Sequence, residues 1–223
     1  MAKHFIEIDS VQKYFNTKPV LTDVYLKCET GEIIGLLGRN GSGKSTLLKI
    51  VFGILSADNK FIRVDGKVIF NTNDSLNEIS YLSQENFIPS SFSVKRAIQL
   101  SIDKEKIGNF YQDDFINSLK NKKINHLSGG ELRYLEIKLI LSNSSKFVLL
   151  DEPYNGLSPI MIEKINQLIT ENSSKKGIII TDHNYENIIK ISSRLILMKD
   201  GKTIQIKDKM ELVEKGYLSK EVI

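Results

Sequence analysis

The stretch "GRNGSGKST" at residues 38–46 constrains the fold of this chain more than any other feature. It follows the apolar run "EIIGLLG", which predicts a buried strand, and it opens "KSTLLKIVFGIL", which predicts a helix. Its three glycines let the backbone curl closely around phosphate oxygens, because no Cβ atom stands in the way. A strand, such a loop and a helix in this order predict a phosphate-binding loop on an α/β sheet.

The side chains of this loop predict how a nucleoside triphosphate and Mg²⁺ would be held. Lys44 is expected to reach the β- and γ-phosphates, and the Ser45 hydroxyl is expected to bind Mg²⁺. The backbone N–H groups of the turn form the rest of the cradle. The nucleotide-binding residues predicted here are Gly38, Asn40, Gly41, Ser42, Gly43, Lys44, Ser45 and Thr46.

A pair of acidic residues ends another apolar run, "FVLLDEP". Asp151 is expected to hold the Mg²⁺ through water, and Glu152 to orient or deprotonate the attacking water. Neighbouring side chains on a strand point in opposite directions. At the end of the strand, however, both can face the loop region, so the pair predicts the hydrolytic side of the site.

A second glycine-rich loop, "HLSGGE", opens the predicted helix "ELRYLEIKLILS". Backbone N–H groups point outward at a helix start, and the helix dipole favours negative charge there. Ser128, Gly129 and Gly130 therefore predict a second anion-binding loop, this one without a lysine. The chain thus carries two phosphate-type loops within 223 residues.

The rest of the chain predicts one α/β domain. Continuous apolar strands alternate with helices, which implies a largely parallel sheet covered on both faces, and hairpins at Asp65-Gly66 and Asp200-Gly201 add an antiparallel part. Cys28 lies in an alternating strand and is expected to fill the core. We expect no nucleic-acid partner, since the net charge is only +4 and basic residues do not cluster with aromatic ones.

The phosphate loop, "HLSGGE", "FVLLDEP" and "TDH" occur together in this order, and nearly the whole chain resembles the nucleotide-binding subunit of an ABC transporter. The resemblance implies a single ABC ATPase domain over residues 1–223. It is a P-loop NTPase with a RecA-like core, an antiparallel β part and a short inserted helical lobe at about 85–143. In this family two subunits pair head to tail around ATP, so Ser128, Gly129 and Gly130 would cap the γ-phosphate held by the other subunit.

The resemblance also implies roles for three residues outside these loops. Gln84, in "YLSQE", matches the glutamine that contacts Mg²⁺ and the attacking water. His183, in "IIITDH", matches the histidine that contacts the γ-phosphate. Phe15 matches the aromatic residue that stacks on adenine, with Tyr14 as its rival and a plain core aromatic as the alternative.

Two departures from the family pattern affect what the resemblance implies. The loop after "DEP" usually ends in Asp, whereas Ser158 stands there and suits the cap of a helix starting at Pro159. Coupling between the two sites of a pair is therefore in question. The stretch from Gln84 to Ser128 is short, so the identity of the membrane partner is open. The motif details look most like the branch with lipopolysaccharide-export and branched-chain amino-acid-import ATPases.

The expected function is that of an ATPase that powers a membrane transporter, with ATP and Mg²⁺ as cofactors. The expected partners are a second ABC subunit, in an ATP-dependent homodimer, and an integral membrane permease. No stretch has the roughly 18 apolar residues of a membrane span, so we expect a cytoplasmic protein held at the inner face of the cell membrane through its partner. The alternatives are an ATPase acting on a protein assembly, such as iron–sulfur cluster biogenesis, and an ATP-gated clamp without hydrolysis, against which Glu152 argues. The transported substrate and its direction are not written in this chain.

Overall fold

The computed structural model describes residues 3–219, which form ten strands and nine α-helices. The strands are β1 (Phe5–Phe15), β2 (Lys18–Glu29), β3 (Ile33–Leu37), β4 (Asn59–Val64), β5 (Lys67–Val68), β6 (Ile79–Leu82), β7 (Phe147–Asp151), β8 (Gly177–Thr181), β9 (Arg194–Lys199) and β10 (Lys202–Ile206). The helices are α1 (Lys44–Phe52), α2 (Thr72–Ser75), α3 (Val94–Ser101), α4 (Ile107–Phe110), α5 (Asp114–Leu119), α6 (Gly129–Ser142), α7 (Pro159–Ser173), α8 (Tyr185–Ile191) and α9 (Lys209–Glu214).

The strands form a single mixed sheet in the order β5-β4-β1-β2-β10-β9-β3-β8-β7-β6. The strands β9, β3, β8, β7 and β6 pair in parallel. Antiparallel pairing joins β5, β4, β1 and β2, and also β9 with β10. The predicted α/β class with a parallel core and an antiparallel part is confirmed.

The core lies on both faces of the parallel strands, of which β3, β7 and β8 are buried along their whole length. Side chains alternate between the faces. Leu37, Leu150 and Ile180 join the cluster beneath α6, α7 and α8, whereas Leu36 and Leu149 join the one beneath α1. Cys28 is fully buried in the second cluster, as predicted.

The parallel strands place their carboxyl ends at one edge of the sheet, and this edge positions the site. The strands β3, β6, β7 and β8 end at Leu37, Leu82, Asp151 and Thr181. The phosphate loop, Gln84, Glu152 and His183 each follow one of these ends. Ligands bind at this edge in open α/β sheets, so the topology gathers the predicted site residues from four separate stretches.

The segment between β6 and β7 contains the helices α3 to α6. Phe92, Val94 and Ile98 lie in the same apolar cluster as Leu135 of α6. Among the helices of residues 3–219, none combines the length and the apolar character that a bilayer-spanning helix needs.

Candidate nucleotide-binding and hydrolysis site

The phosphate loop adopts a backbone that its glycines make possible. Gly41 and Gly43 have φ angles of 76° and 103°, a region that side chains with a Cβ rarely adopt. A Cβ at Gly43 would lie 2.7 Å from the Leu21 side chain, and one at Gly38 would lie 2.7 Å from the Met198 carbonyl oxygen. Strands β2 and β9 therefore pack against one side of the loop, and the opposite side is left for a ligand.

Lys44 extends back across this loop at the start of α1. Its Nζ atom donates to the carbonyl oxygens of Gly38 at 2.8 Å and of Arg39 at 3.3 Å. Burial lowers the pKa of Lys44, and the nearby carboxylates of Glu152, Asp151 and Asp182 oppose that shift. An ammonium held only by carbonyl oxygens can exchange them for phosphate oxygens, as the predicted role requires.

Three side chains converge beside the loop, as expected for a Mg²⁺ site. The Ser45 hydroxyl donates to Asp151 Oδ1 at 2.8 Å, and Gln84 Nε2 donates to Ser45 Oγ at 3.2 Å. Asp151 is fully buried at the end of β7. Hydroxyl, carboxylate and amide oxygens are the ligands that Mg²⁺ takes in proteins, so the donor set fits the cation.

Glu152 and His183 form the hydrolytic side of the site. Glu152 Oε1 lies 2.8 Å from His183 Nε2. Glu152 has a φ of 50°, an uncommon value for a residue with a side chain, and its N–H donates to the Thr181 carbonyl. This backbone turn lets Asp151 and Glu152, although adjacent, both face the phosphate loop.

A cavity of about 450 Å³ joins these groups. It is lined by Phe15, Val20, Asn40, Gly41, Ser42, Gly43, Lys44, Ser45, Thr46, Gln84, Glu152 and His183. A neighbouring cavity of about 770 Å³ shares Phe15 and part of the phosphate loop and continues toward Lys199 and Tyr217. Phe15 borders both cavities and is 47% exposed, whereas its rival Tyr14 borders neither.

The second glycine loop stands apart from this cavity. Within residues 3–219, the groups that line the cavity do not include Ser128, Gly129 or Gly130. Ser128 caps α6: its hydroxyl accepts from the Glu131 N–H, and the Glu131 carboxylate accepts from the Ser128 N–H at 2.7 Å. Ser128 and Gly129 are exposed. The helix start is formed, and it faces solvent.

Three residues that the sequence reasoning missed hold this site together. Tyr81 donates from its hydroxyl to Asp151 Oδ2 at 2.9 Å, and burial beside that carboxylate raises its pKa. The buried Arg133 of α6 donates to the carbonyl oxygens of Ser83, Asp151 and Glu152. Asp182 accepts from backbone N–H groups on both sides of the site. Only Asp182, next to His183 after a buried strand, carried a signal in the sequence.

Comparison with known proteins agrees with this geometry. Residues 21–155 match the family model described as ABC transporter. The lipopolysaccharide export system ATP-binding protein LptB of Haemophilus influenzae is 31% identical over 210 residues, which cover 88% of this chain and 87% of that protein. The protein of the same name from Escherichia coli K12 is 31% identical over 231 residues, covering 95% and 93%.

A solved structure shares the fold. The ADP conformation of an ATP-binding cassette of an ABC transporter superposes with a TM-score of 0.82 at 21% identity, covering 98% of this chain and 96% of that one. The predicted resemblance is therefore confirmed. The chain belongs to the ABC transporter family and is an ATPase of that family.

Proposed function

We propose that two copies of this chain pair head to tail around ATP and Mg²⁺, and that hydrolysis in the pair powers a membrane transporter. The observation that carries the proposal is the separation of the two glycine loops. The loop with Lys44 lines the cavity, whereas the start of α6 at Ser128–Gly130 lies outside it, with Ser128 and Gly129 exposed to solvent. A two-fold pair places the same surfaces against each other reciprocally, so each copy can complete the site of the other.

Each side chain of the cavity has a role that follows from its position. Lys44 and the loop N–H groups bind the β- and γ-phosphates, and Phe15 stacks on the base at the border of the larger cavity. Ser45, Gln84 and Asp151 hold Mg²⁺, which neutralises phosphate charge when it is bound. Glu152 accepts the proton of the attacking water, and His183, paired with Glu152, contacts the γ-phosphate.

The membrane role rests on the relatives. Their names describe ATP-binding proteins of a lipopolysaccharide export system, and the matched family is named for transporters. These names favour transport over the alternative of an ATPase for a protein assembly. The chain would then reach the membrane as a peripheral subunit, bound to an integral membrane permease.

Glu152→Gln tests the pairing. The amide keeps the shape of the side chain but cannot take the proton, so the variant should bind ATP, lose turnover and accumulate as a closed pair. Size-exclusion chromatography with ATP and Mg²⁺ should show a dimer that disappears without nucleotide. Glu163→Gln, at an exposed carboxylate on α7, is the matched control and should remain active. A Glu152→Gln chain that stays monomeric at high protein and ATP concentrations would argue against the pair.

A further inference from the structure

A series of side-chain hydrogen bonds that begins at two buried residues runs behind the Glu152–His183 pair. The Tyr154 hydroxyl donates to Asn166 Oδ1 on α7, and Asn166 Nδ2 donates to Asn187 Oδ1 on α8 at 3.3 Å. Tyr154 is 3% exposed and Asn166 is 2% exposed. A buried amide is costly unless it is paired, and here both ends of the Asn166 amide are paired.

The series continues from Asn187 to the residue next to His183. Asn187 Nδ2 donates to Asn184 Oδ1 at 2.9 Å, and the same oxygen caps α8 by accepting from the Asn187 N–H. The His183 side chain is half exposed. Packing holds little of this ring, so its placement depends on its pairing with Glu152 and on the backbone that Asn184 anchors.

Asp182, the residue before His183, links the same segments through its carboxylate. Its Oδ2 accepts from the Tyr154 N–H at 2.8 Å, and its Oδ1 accepts from the Asn184 N–H at 2.9 Å. This buried carboxylate therefore joins the backbone segment after Glu152 to the backbone segment after His183. The same two segments meet again through Asn166, so α7 is tied to both.

The first turn of α7 touches the second glycine loop of the same chain. A Cβ built on Gly130 would lie 3.2 Å from Met161 Cγ in this turn, and 3.8 Å from Cδ2 of Leu157, which precedes the helix. The helix thus contacts the start of α6 at one end and the hydrogen-bond chain to His183 at Asn166. A shift of α7 along its axis would therefore displace both the start of α6 and the hydrogen bond from Asn166 to Asn187.

We infer that Asn166 is a positioning residue that transmits the placement of α7 to His183 through Asn187 and Asn184. The inference rests on the proposed head-to-tail pair, in which the start of α6 serves the partner's ATP and His183 serves the ATP of its own chain. When a nucleotide draws the start of α6 toward the partner, α7 moves with it and reorients His183. Coupling between the two sites then runs through Asn166, in a chain that has Ser158 where the family has Asp.

A double-mutant cycle between Tyr154→Phe and Asn187→Ala tests the relay. Within residues 3–219 no hydrogen bond joins these two side chains directly, whereas both bond Asn166. Each single change should slow turnover about tenfold at saturating ATP and leave ATP affinity within about twofold. The double variant should be no slower than the slower single one, because Tyr154→Phe releases the Asn166 amide and Asn187→Ala removes its link to Asn184, so both changes interrupt the same relay. If the two effects on turnover multiplied, to a loss of about a hundredfold in the double variant, the relay would be overturned.

The matched control replaces Tyr154→Phe with Ile165→Val, a change at the fully buried neighbour of Asn166 on α7. Its effect on turnover should be small and should multiply with that of Asn187→Ala, because Ile165 lies in the core and outside the relay. Asn187 is only partly buried, so Asn187→Ala should fold. If a variant in the core fails to fold, the effect of Asn187→Ala on turnover still tests the relay.

A readout without hydrolysis separates this inference from the proposed function. Imidazole NMR signals of ¹⁵N-histidine-labelled protein, assigned with His183→Ala, should shift for His183 in Tyr154→Phe and Asn187→Ala but not in Ile165→Val. Unmoved signals in the two relay variants would overturn the relay even if the pair forms. If Glu152→Gln instead stays monomeric with ATP while the His183 signals shift, the proposed pair fails and the positioning of His183 stands.

Discussion

At the scale of single residues, Lys44 carries the strongest prediction. Its buried ammonium is held by two carbonyl oxygens and has no hydrogen-bonded carboxylate among residues 3–219, so it is available to phosphate. Lys44→Ala should weaken ATP binding about 100-fold, since charge-assisted hydrogen bonds of about 3 kcal/mol are lost. Titration with a fluorescent nucleotide measures this. Lys49→Ala, at an exposed lysine of the same helix, should bind normally. Tight binding by Lys44→Ala would contradict the assigned role.

Lys176 gives a prediction about pH. Its ammonium is buried against the Asn143 and Ser145 carbonyls, and burial lowers its pKa to about 8. Above about pH 8 the unfolded chain binds more protons at this lysine than the folded one, so this lysine adds stability as pH rises toward its ordinary pKa. Between about pH 7.5 and pH 9.5, the wild type should gain about 2 kcal/mol in free energy of unfolding relative to Lys176→Met. Urea denaturation of both proteins tests this, and parallel pH curves would refute it.

The predictability of site residues differed with the range of their contacts. Lys44 and Ser45 belong to a contiguous motif, and Asp151 and Glu152 end an apolar strand, so both sets could be read from the sequence. Tyr81 and Arg133 act on Asp151 and Glu152 from β6 and α6, and no local pattern marks them. The roles carried over for Phe15, Gln84 and His183 stay predictions, although all three line the cavity.

At the scale of elements, the start of α6 carries a prediction that separates binding from pairing. A Cβ on Gly129 meets no atom within 4 Å, whereas one on Gly130 approaches Met161. An aspartate at this first helical position also suits the helix dipole. Gly129→Asp should therefore keep the fold and the ATP affinity of the isolated chain. Pairing and hydrolysis should collapse, because the carboxylate repels the γ-phosphate of the partner's ATP.

The control for this variant is Gly129→Ala, which adds the Cβ without the charge. Light scattering with ATP measures pairing, phosphate release measures hydrolysis, and nucleotide titration measures affinity. Gly129→Ala should lose much less of the pairing than Gly129→Asp. If Gly129→Asp abolished ATP binding by the isolated chain, the second loop would act on its own chain's nucleotide.

Elements with a repeating pattern or a strong turn signal were predicted well. The alternating strands, the hairpins at Asp65 and Asp200 and the cap of α7 at Ser158 are confirmed. The predicted helix 44–55 was too long, because Gly53 adopts a φ of 95° and ends α1 at Phe52. The four-residue α2, capped by Asn71, is too short to show a hydrophobic period.

At the scale of the whole molecule, the order of the strands in the sheet could not be predicted from the sequence. Each strand could be recognised locally, but β3 lies between β9 and β8, far away in the chain, and such pairing follows no local rule. The predictions that the ligand is ATP and that two subunits pair came from the resemblance to a known family. The separation of the two glycine loops, visible only in the fold, is the observation from which we propose that a complete site requires a pair.

Mixing two defective chains tests that requirement most directly. A Lys44→Ala chain and a Gly129→Asp chain should each be inactive alone. Their mixed pair contains one site with both defects and one composite site with neither, built from the Lys44 loop of the second chain and the α6 start of the first. Captured through a tag on one chain, mixed pairs should hydrolyse ATP at up to about half the wild-type rate per pair. Inactive mixed pairs, with pairing verified, would contradict a site shared between two chains.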